Sequence, residues 1–272
     1  MLARLLHAAA YPEPYRARIV RSIVRRLRIG NYAARLELEA VERPWYGWCL
    51  YGAALQARAL GYRAISVAEM GVAGGNGLLN LCDHAAEVTH LTGVSVAIFG
   101  FDSASGLPPS QDYRDLPYVW PAGSFAMDIA RLRDRVGSRA TLKIGDVRDT
   151  VPGFRPDPSA PLGAVMFDLD MYSSTAAALA ILDVPERIPR VWCWFDDIIG
   201  SIDNLYCERN GERAAIADYN RSRGDAFLSP ANCSFGQAAP RYWHQQIYVD
   251  HRFEHPEYSR CLSSGRHELA LD

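Results

Sequence analysis

Four aspartates in two short segments carry the clearest chemical signal in the sequence. Asp168 and Asp170 follow one apolar run, and Asp196 and Asp197 follow the next. If the two runs are adjacent parallel strands, these side chains meet at one edge of the sheet, where α/β proteins bind ligands. Converging carboxylates repel one another unless a cation joins them, and hard oxygen ligands favour Mg²⁺ or Ca²⁺. The pattern predicts a divalent-cation site at Asp168, Asp196 and Asp197.

A cation at this edge would hold a substrate hydroxyl and lower its pKa, which makes the oxygen nucleophilic near neutral pH. Mg²⁺ suits this role because it keeps several waters in its coordination shell. Two other interpretations stay open. Asp170 alternates with Asp168 and can face another side, and either Asp196 or Asp197 can cap the segment that follows.

A glycine-rich segment, EMGVAGGNG at 69–77, follows an apolar run and precedes a helical pattern. Glycines in such a turn permit positive φ and let a cofactor lie against the backbone. The dinucleotide pattern GxGxxG fits poorly, because aligning Gly75 and Gly77 to its first two glycines places Asn80 at the third. Glu69 suits a cofactor with a free amine, such as the methionine part of S-adenosylmethionine (SAM). A glycine turn without a ligand is the alternative.

Two further acids follow the next two predicted strands. Asp102, in GFDS, can accept hydrogen bonds from both ribose hydroxyls of a cofactor, as acids do in nicotinamide and SAM sites alike. Asp146, in GDV, can accept one from an adenine amino group. Each acid alone is typical of a turn or a helix cap. Together with Glu69, they place an acid after each of three successive strands, which favours a nucleoside-bearing cofactor.

Short apolar runs alternate with helical patterns from residue 65 onward, which is typical of βαβ units and a mainly parallel sheet. Strands are predicted at 65–72, 94–101, 140–144, 163–167, 191–195 and 243–249, with helices at 74–86, 126–136, 175–182 and 211–222. The stretch 103–125 is a long loop rich in Pro, Ser, Gly and aromatics, of a kind that often closes over a site. No repeat or linker divides the chain, so one domain is predicted.

Two helical patterns precede this region. In the first, 15–28, arginines cover one side and the other side is apolar, with Ile19, Val20, Ile23, Val24 and Leu27. We expect the apolar side to pack on the domain and the basic side to face solvent. Contact with a partner subunit or an acidic surface is the alternative. The second helix, 46–61, ends at Gly61, a residue typical of helix C-termini.

The composition limits the partners. Hydrophobic residues make up 49% and charged residues 22%, and the net charge is −2. No basic field attracts nucleic acid or anionic lipid, and no apolar run reaches the roughly 18 residues of a membrane span. The six cysteines include no CxxC pair, which favours a reducing compartment over a disulfide scaffold or a zinc site. We therefore expect a cytoplasmic protein.

The motifs EMGVAGGNG, GFDSASGLP, GDV, FDLDMYSST and WFDD occur in the order seen in class I methyltransferases. GFDSASGLP and the last two also resemble the macrocin O-methyltransferase group, magnesium-dependent enzymes that act on hydroxyls of sugar-decorated natural products. The resemblance covers roughly 64–250. It implies a Rossmann-like α/β fold with a mainly parallel seven-stranded sheet and helices on both faces. Within the single domain, we expect a helical extension at 1–60 that packs on the core, followed by the methyltransferase domain at 61–272.

The resemblance also implies roles for individual residues. The residues implied to bind the cofactor are Glu69, Gly71, Gly74, Gly75, Asn76, Asp102, Ser103, Asp146, Val147 and Asp168. The implied metal ligands are Asp168, Asp196 and Asp197. Related catechol-type enzymes carry a lysine base three positions after their first metal aspartate, where this chain has Met171. Asp168 or Asp170 is therefore our first candidate for the base, and His244 is the second.

These expectations converge on a SAM-dependent and Mg²⁺-dependent O-methyltransferase that acts on a hydroxyl of a sugar or another natural product. An oxidoreductase that uses nicotinamide dinucleotide is the first alternative, although Asn80 and the aspartates argue against it. A relative with the same fold and another reaction is the second. A scaffold or interaction protein is the third, and it rests on the basic N-terminal helix alone. Homo-oligomerisation through the N-terminal helices is also expected.

Overall fold

The computed structural model describes residues 15–110, 112–233, 235 and 241–262. In this part of the chain, the strands are β1 (Ala64–Met70), β2 (Ser95–Asp102), β3 (Thr141–Ile144), β4 (Leu162–Phe167), β5 (Arg187–Phe195), β6 (Ala226–Pro230) and β7 (Ile247–Arg252). The helices are α1 (Tyr15–Leu27), α2 (Tyr32–Glu37), α3 (Pro44–Leu60), α4 (Asn76–Thr92), α5 (Ile129–Val136), α6 (Val147–Thr150), α7 (Tyr172–Ala178) and α8 (Gly211–Arg221).

The seven strands form one sheet in the order β3-β2-β1-β4-β5-β7-β6. The pairs from β3 to β5 are parallel, while β7 runs antiparallel to both β5 and β6. All six residues of β4 are buried, so both faces of the sheet are covered at its centre, as in parallel sheets generally. The predicted mainly parallel α/β sheet is confirmed.

Helix α3 packs on the sheet and contributes to the core. It packs against β1, β4 and β5 as well as α4. Pro44 occupies the first turn, where its missing N–H costs nothing, and Gly61 ends the helix with φ +93°. The helix predicted at 46–61 is thereby confirmed, with its start two residues earlier. Residues 1–14 of the predicted 1–60 extension lie outside the described part.

The prediction for helix α1 is wrong in its packing. Val24 is buried, but Ile19, Val20 and Leu27 are 59%, 49% and 66% exposed. Polar contacts hold the helix instead, because the Arg21 side chain donates to the carbonyl of Leu38 and forms an ion pair with a glutamate of the following segment. The exposed apolar side is available to the predicted contact between subunits, which stays a prediction.

The late strand predicted at 243–249 is wrong in its first half. Residues Tyr242–Gln246 form a 3₁₀-helix, and strand β7 begins only at Ile247. The backbone N–H of Arg241 donates to Nδ1 of His244, and such local side-chain bonds compete with strand pairing. The edge strand β6 and the short helix α2 were not predicted.

The loop predicted at 103–125 is largely irregular but closely packed. Backbone bonds join Leu107 to Ser124 and to Gly123 near its two ends. Leu116 within the loop is fully buried. The Arg114 guanidinium lies 3.6 Å from the ring centre of Tyr172 at the start of α7. The loop is therefore anchored to the helices beyond the sheet edge.

All six cysteines lie in the described ranges, and Cys49, Cys82, Cys193, Cys207 and Cys233 carry free thiols. Cys193, in β5, is fully buried. Among the described helices, none combines the length and the apolar character needed to cross a bilayer.

Candidate active site

A cavity of about 690 Å³ opens at the carboxyl ends of the parallel strands. Every predicted site residue except His244 lines it. The cavity wall comprises Glu69, the glycine turn 71–77, residues after β2 and β3, and the aspartates after β4 and β5. The sheet edge therefore brings together the residues that the sequence singled out.

The glycine turn needs glycine because other chain segments press against it. Gly71 has φ +85°, and a Cβ there would overlap the carbonyl oxygen of Asp168. A Cβ at Gly77 would overlap Oε1 of Glu69. Since bare backbone lies along the cavity, a cofactor can approach this turn closely.

Glu69 is buried beneath the glycine turn. Its Oε1 accepts a 2.7 Å hydrogen bond from the Tyr46 hydroxyl, whereas Oε2 is buried and finds no partner among the described residues. Burial raises the pKa of this carboxyl to about 8. A ligand ammonium would satisfy the free oxygen and restore the ionised form, so this residue fits the amine of SAM.

Asp102 holds the backbone around the cavity. Its Oδ2 accepts from the N–H groups of Val72 and Ala73, each at 2.8 Å, and Oδ1 accepts from Ala104 at 2.6 Å. A carboxylate offers about four acceptor positions, so these three bonds leave room for one ligand hydroxyl. Ser103 follows it in the wall and donates to the Gly106 carbonyl.

Asp146 caps helix α6, which is the alternative that the sequence left open. Its Oδ1 accepts from the N–H of Arg148 at 2.8 Å, and Oδ2 pairs with the same residue's guanidinium at 3.2 Å. Asp146 and Val147 both line the cavity, so contact with an adenine stays a prediction.

The predicted aspartate cluster forms. Phe167 and Phe195 are register partners in β4 and β5, so the residues that follow them lie side by side. Carboxylate oxygens of Asp168, Asp196 and Asp197 all lie within 4.8 Å of one another. Asp170 lines the same cavity outside this trio, with φ +61°. Its backbone N–H donates to Oδ2 of Asp197.

Burial raises the pKa of each of these carboxyls, and repulsion from neighbouring carboxylates adds to the rise for Asp168, Asp170 and Asp197. Burial, then Asp196 and Asp197, hold the pKa of Asp168 well above its ordinary value. Burial is also the main cause that raises the pKa of Asp197 to about 7 and that of Asp170 to about 8. A divalent cation would relieve this repulsion, and hard oxygen donors are what Mg²⁺ prefers. The trio therefore fits Mg²⁺.

Three supporting residues escaped the sequence analysis. The buried Glu212 accepts from the N–H of Asp197 at 2.9 Å, and the Tyr206 hydroxyl donates to Oδ1 of Asp197 at 3.0 Å. The Gln246 amide donates to the carbonyl of Asp196 at 2.6 Å. No motif marks these positions, because they act from α8, from the segment before it and from the 3₁₀-helix at Tyr242–Gln246.

His244 lies apart from the cavity wall. Its ring packs against Trp243 and Phe235, with centres 4.2 and 4.9 Å apart, and burial lowers its pKa. The described structure thus does not bring this histidine among the carboxylates. Met171, at the position of the related lysine base, is fully buried.

No family model and no curated protein matches this sequence. Several solved structures, however, align with the structure of this chain. CalS11, a calicheamicin methyltransferase, aligns over 93% of this chain and 90% of its own, with 20% identity and a TM-score of 0.51. An apo structure of CalS11, described as a TDP-rhamnose 3'-O-methyltransferase, aligns over 91% and 90%, with 22% identity and a TM-score of 0.42.

An O-methyltransferase from Bacillus cereus in complex with SAH aligns over 86% of this chain and 97% of its own, with 12% identity and a TM-score of 0.45. At these identities, the likeness concerns the fold. The narrower resemblance to the macrocin group stays a prediction. The chain has the Rossmann-like fold of the class I SAM-dependent methyltransferases.

Proposed function

We propose that the protein transfers a methyl group from SAM to a hydroxyl oxygen of a small molecule, with Mg²⁺ held by Asp168, Asp196 and Asp197. One observation carries the proposal. A single cavity joins the glycine turn and Glu69, one of whose oxygens is buried without a partner in the described structure, to the cluster of three carboxylates. An amine-bearing cofactor and a divalent cation are the complements of these two groups.

We assign the residues of the cavity wall to successive parts of SAM, from its amino-acid end to its adenine. Glu69 binds the ammonium group, and the backbone of Gly71, Gly74, Gly75 and Asn76 lies along the cofactor. Asp102 and Ser103 bind the ribose. Asp146 and Val147 border the adenine.

When bound, SAM supplies an activated methyl group, and Mg²⁺ supplies a Lewis acid for the acceptor hydroxyl. The chain's own residues align the two reactants, and such alignment can supply about 7–11 kcal/mol. A carboxylate of the site accepts the hydroxyl proton. Asp170 is the base we favour over Asp168, because it lines the same cavity but lies outside the trio of proposed metal ligands.

The acceptor is proposed to be a sugar or another natural product with a free hydroxyl. The loop 103–125 after β2 contributes apolar side chains to the cavity wall: Leu107, Pro108, Trp120 and Phe125. The cavity volume of about 690 Å³ is within the range of small-molecule sites. The motif resemblance to the macrocin group supports this class of acceptor.

A fluorescence titration separates this proposal from the dinucleotide alternative. Trp120 in the cavity wall gives the signal. We expect saturable quenching by SAM and none by NADH, with SAM binding weakened in Glu69→Gln. Glu254→Gln, at an exposed glutamate, is the matched control. Saturable binding of NADH without binding of SAM would reverse the assignment.

A further inference from the structure

Arg43 is the one cationic side chain among the described residues that line the cavity, against seven carboxylates in the same wall. It occupies the N-cap position of α3 with φ +43° and ψ +63°. A non-glycine residue rarely adopts this left-handed conformation, and such backbone strain is concentrated at functional sites. The proposed metal and base roles do not use this residue.

The guanidinium of Arg43 has no hydrogen bond or ion pair within the described part of the chain. It lies over the ring of Tyr46, whose centre is 5.6 Å from the guanidinium carbon. Its positive charge offsets part of the rise that burial causes in the pKa of Glu69 and of Asp196. Arg43 therefore sits close enough to influence both carboxylates but donates to neither.

Arg43, Tyr46 and Glu69 form one cluster. Tyr46 donates to Oε1 of Glu69, and Arg43 lies over the Tyr46 ring. The cluster offers a ligand one partnerless carboxylate oxygen and one unpaired guanidinium. These are the complements of an ammonium and a carboxylate carried by the same molecule.

The methionine part of SAM carries this pair of charges on a single carbon atom. If the ammonium lies at Glu69, the carboxylate on the same carbon must lie beside it, where an unpaired cation is available. A guanidinium suits this contact because its planar fork can donate two parallel hydrogen bonds to a carboxylate. We propose that Arg43 binds the carboxylate of the SAM methionine, so that the cluster recognises the amino-acid end of the cofactor as a zwitterion.

This inference rests on the proposed function, and decarboxylated SAM tests it separately. That molecule keeps the adenosine, the sulfonium and the amine, and lacks only the carboxylate. We would titrate the full-length protein with SAM and with decarboxylated SAM in a calorimeter, at saturating Mg²⁺. The preference of the wild type for SAM then measures the contribution of the carboxylate.

Arg43→Met keeps an unbranched side chain of similar length but loses the charge. Because hydrogen bonds to charged groups contribute about 1.5–3 kcal/mol, we expect SAM affinity to fall about 10- to 100-fold in this variant. Affinity for decarboxylated SAM should stay within a few-fold of the wild type. Arg43→Lys should recover part of the preference. Arg58→Met, at an exposed arginine near the other end of α3, is the matched control.

Each other outcome overturns the proposal. An unchanged preference for SAM in Arg43→Met means that another group binds the carboxylate. An equal loss for both ligands means that Arg43 only shapes the site or offsets its negative charge. A change confined to Mg²⁺ affinity assigns the residue to the aspartate cluster. If the wild type binds neither ligand, the proposed function itself fails, and this inference fails with it.

Discussion

The Tyr46 hydroxyl donates to one oxygen of Glu69 at 2.7 Å, while the other oxygen of that carboxylate is buried without a partner in the described structure. A buried and half-satisfied carboxylate is costly in the free protein. A ligand ammonium removes that cost on binding. The pair therefore predisposes this end of the cavity to bind an amine.

Glu69→Gln should weaken SAM binding by about 10- to 100-fold, because it replaces a charge-assisted hydrogen bond with a neutral one. Tyr46→Phe should weaken it less, since the carboxylate remains. Calorimetric titration with SAM measures both effects, with Glu254→Gln as the control. SAM affinity in Glu69→Gln equal to that of the wild type would remove Glu69 from the cofactor site.

Asp168→Asn should weaken Mg²⁺ binding by more than about tenfold, because even outer-shell partners of a metal ligand contribute that much. SAM affinity measured in EDTA should change far less. Titration with MgCl₂ gives the first quantity. Asp134→Asn, at an exposed aspartate, is the matched control. Unchanged Mg²⁺ binding in Asp168→Asn would contradict the metal site.

The metal-free protein should lose stability as the pH rises from about 6.5 to about 8. Burial raises the pKa of Glu69 and Asp170 to about 8 and that of Asp197 to about 7. In this window, the folded state holds protons that the unfolded state has released, so the free energy of unfolding falls with pH. The described His84, whose pKa is lowered to about 4, adds little slope there.

Thermal unfolding followed by circular dichroism at both pH values checks this sign. The slope should be smaller with saturating Mg²⁺, which keeps the ligand carboxylates ionised in the folded state. It should also be smaller in Glu69→Gln. A metal-free protein that grows more stable over this window would show that the carboxylates are not desolvated as described.

His244→Ala should keep the affinity for SAM and for Mg²⁺, because the ring lies in an aromatic cluster outside the cavity wall. Asp170→Asn should lower the rate of methyl transfer without a comparable loss of SAM affinity, as expected for a base. Single-turnover rates across pH compare the two variants. A pH-dependent loss of rate in His244→Ala alone would exchange their roles.

Arg114→Ala should loosen the loop that borders the cavity. The guanidinium pairs with Asp112 and Asp218 and stacks on Tyr172, so it ties the loop to α7 and α8. We expect faster proteolysis between residues 103 and 125 and a few-fold loss of SAM affinity. Limited digestion with mass spectrometry locates the cuts. Arg209→Ala, at an exposed arginine, should leave the digestion pattern unchanged.

The parallel core and the aspartate cluster were predictable because their signals are local. Apolar runs such as β4 end at a charged residue, and parallel strands place those ends together. The hydrogen-bond partners of the Asp102 and Asp146 side chains were not predictable. An acid at the end of a strand can face a ligand or accept from nearby backbone N–H groups, and both residues do the latter. Glu212 supports Asp197 from a helix that only the tertiary fold brings near.

The predictions for the packing of α1 and for the segment Tyr242–Gln246 were wrong for related reasons. Helical periodicity identifies an apolar side but not what covers it, and in α1 most of that side is exposed. At 242–246, aromatic residues suggested a strand, whereas the bond between Arg241 and His244 favours a tight turn. No sequence motif marks Arg43, because its proposed role depends on its position near Glu69 in the folded protein.

We propose that one cavity of the protein binds both SAM and Mg²⁺. Isothermal titration of the full-length protein with SAM, in EDTA and then in MgCl₂, tests it most directly. We predict micromolar binding in EDTA and an altered heat of binding in MgCl₂ that disappears in Asp168→Asn. Absence of SAM binding in both buffers would contradict the proposed function, although the fold would still resemble that of methyltransferases.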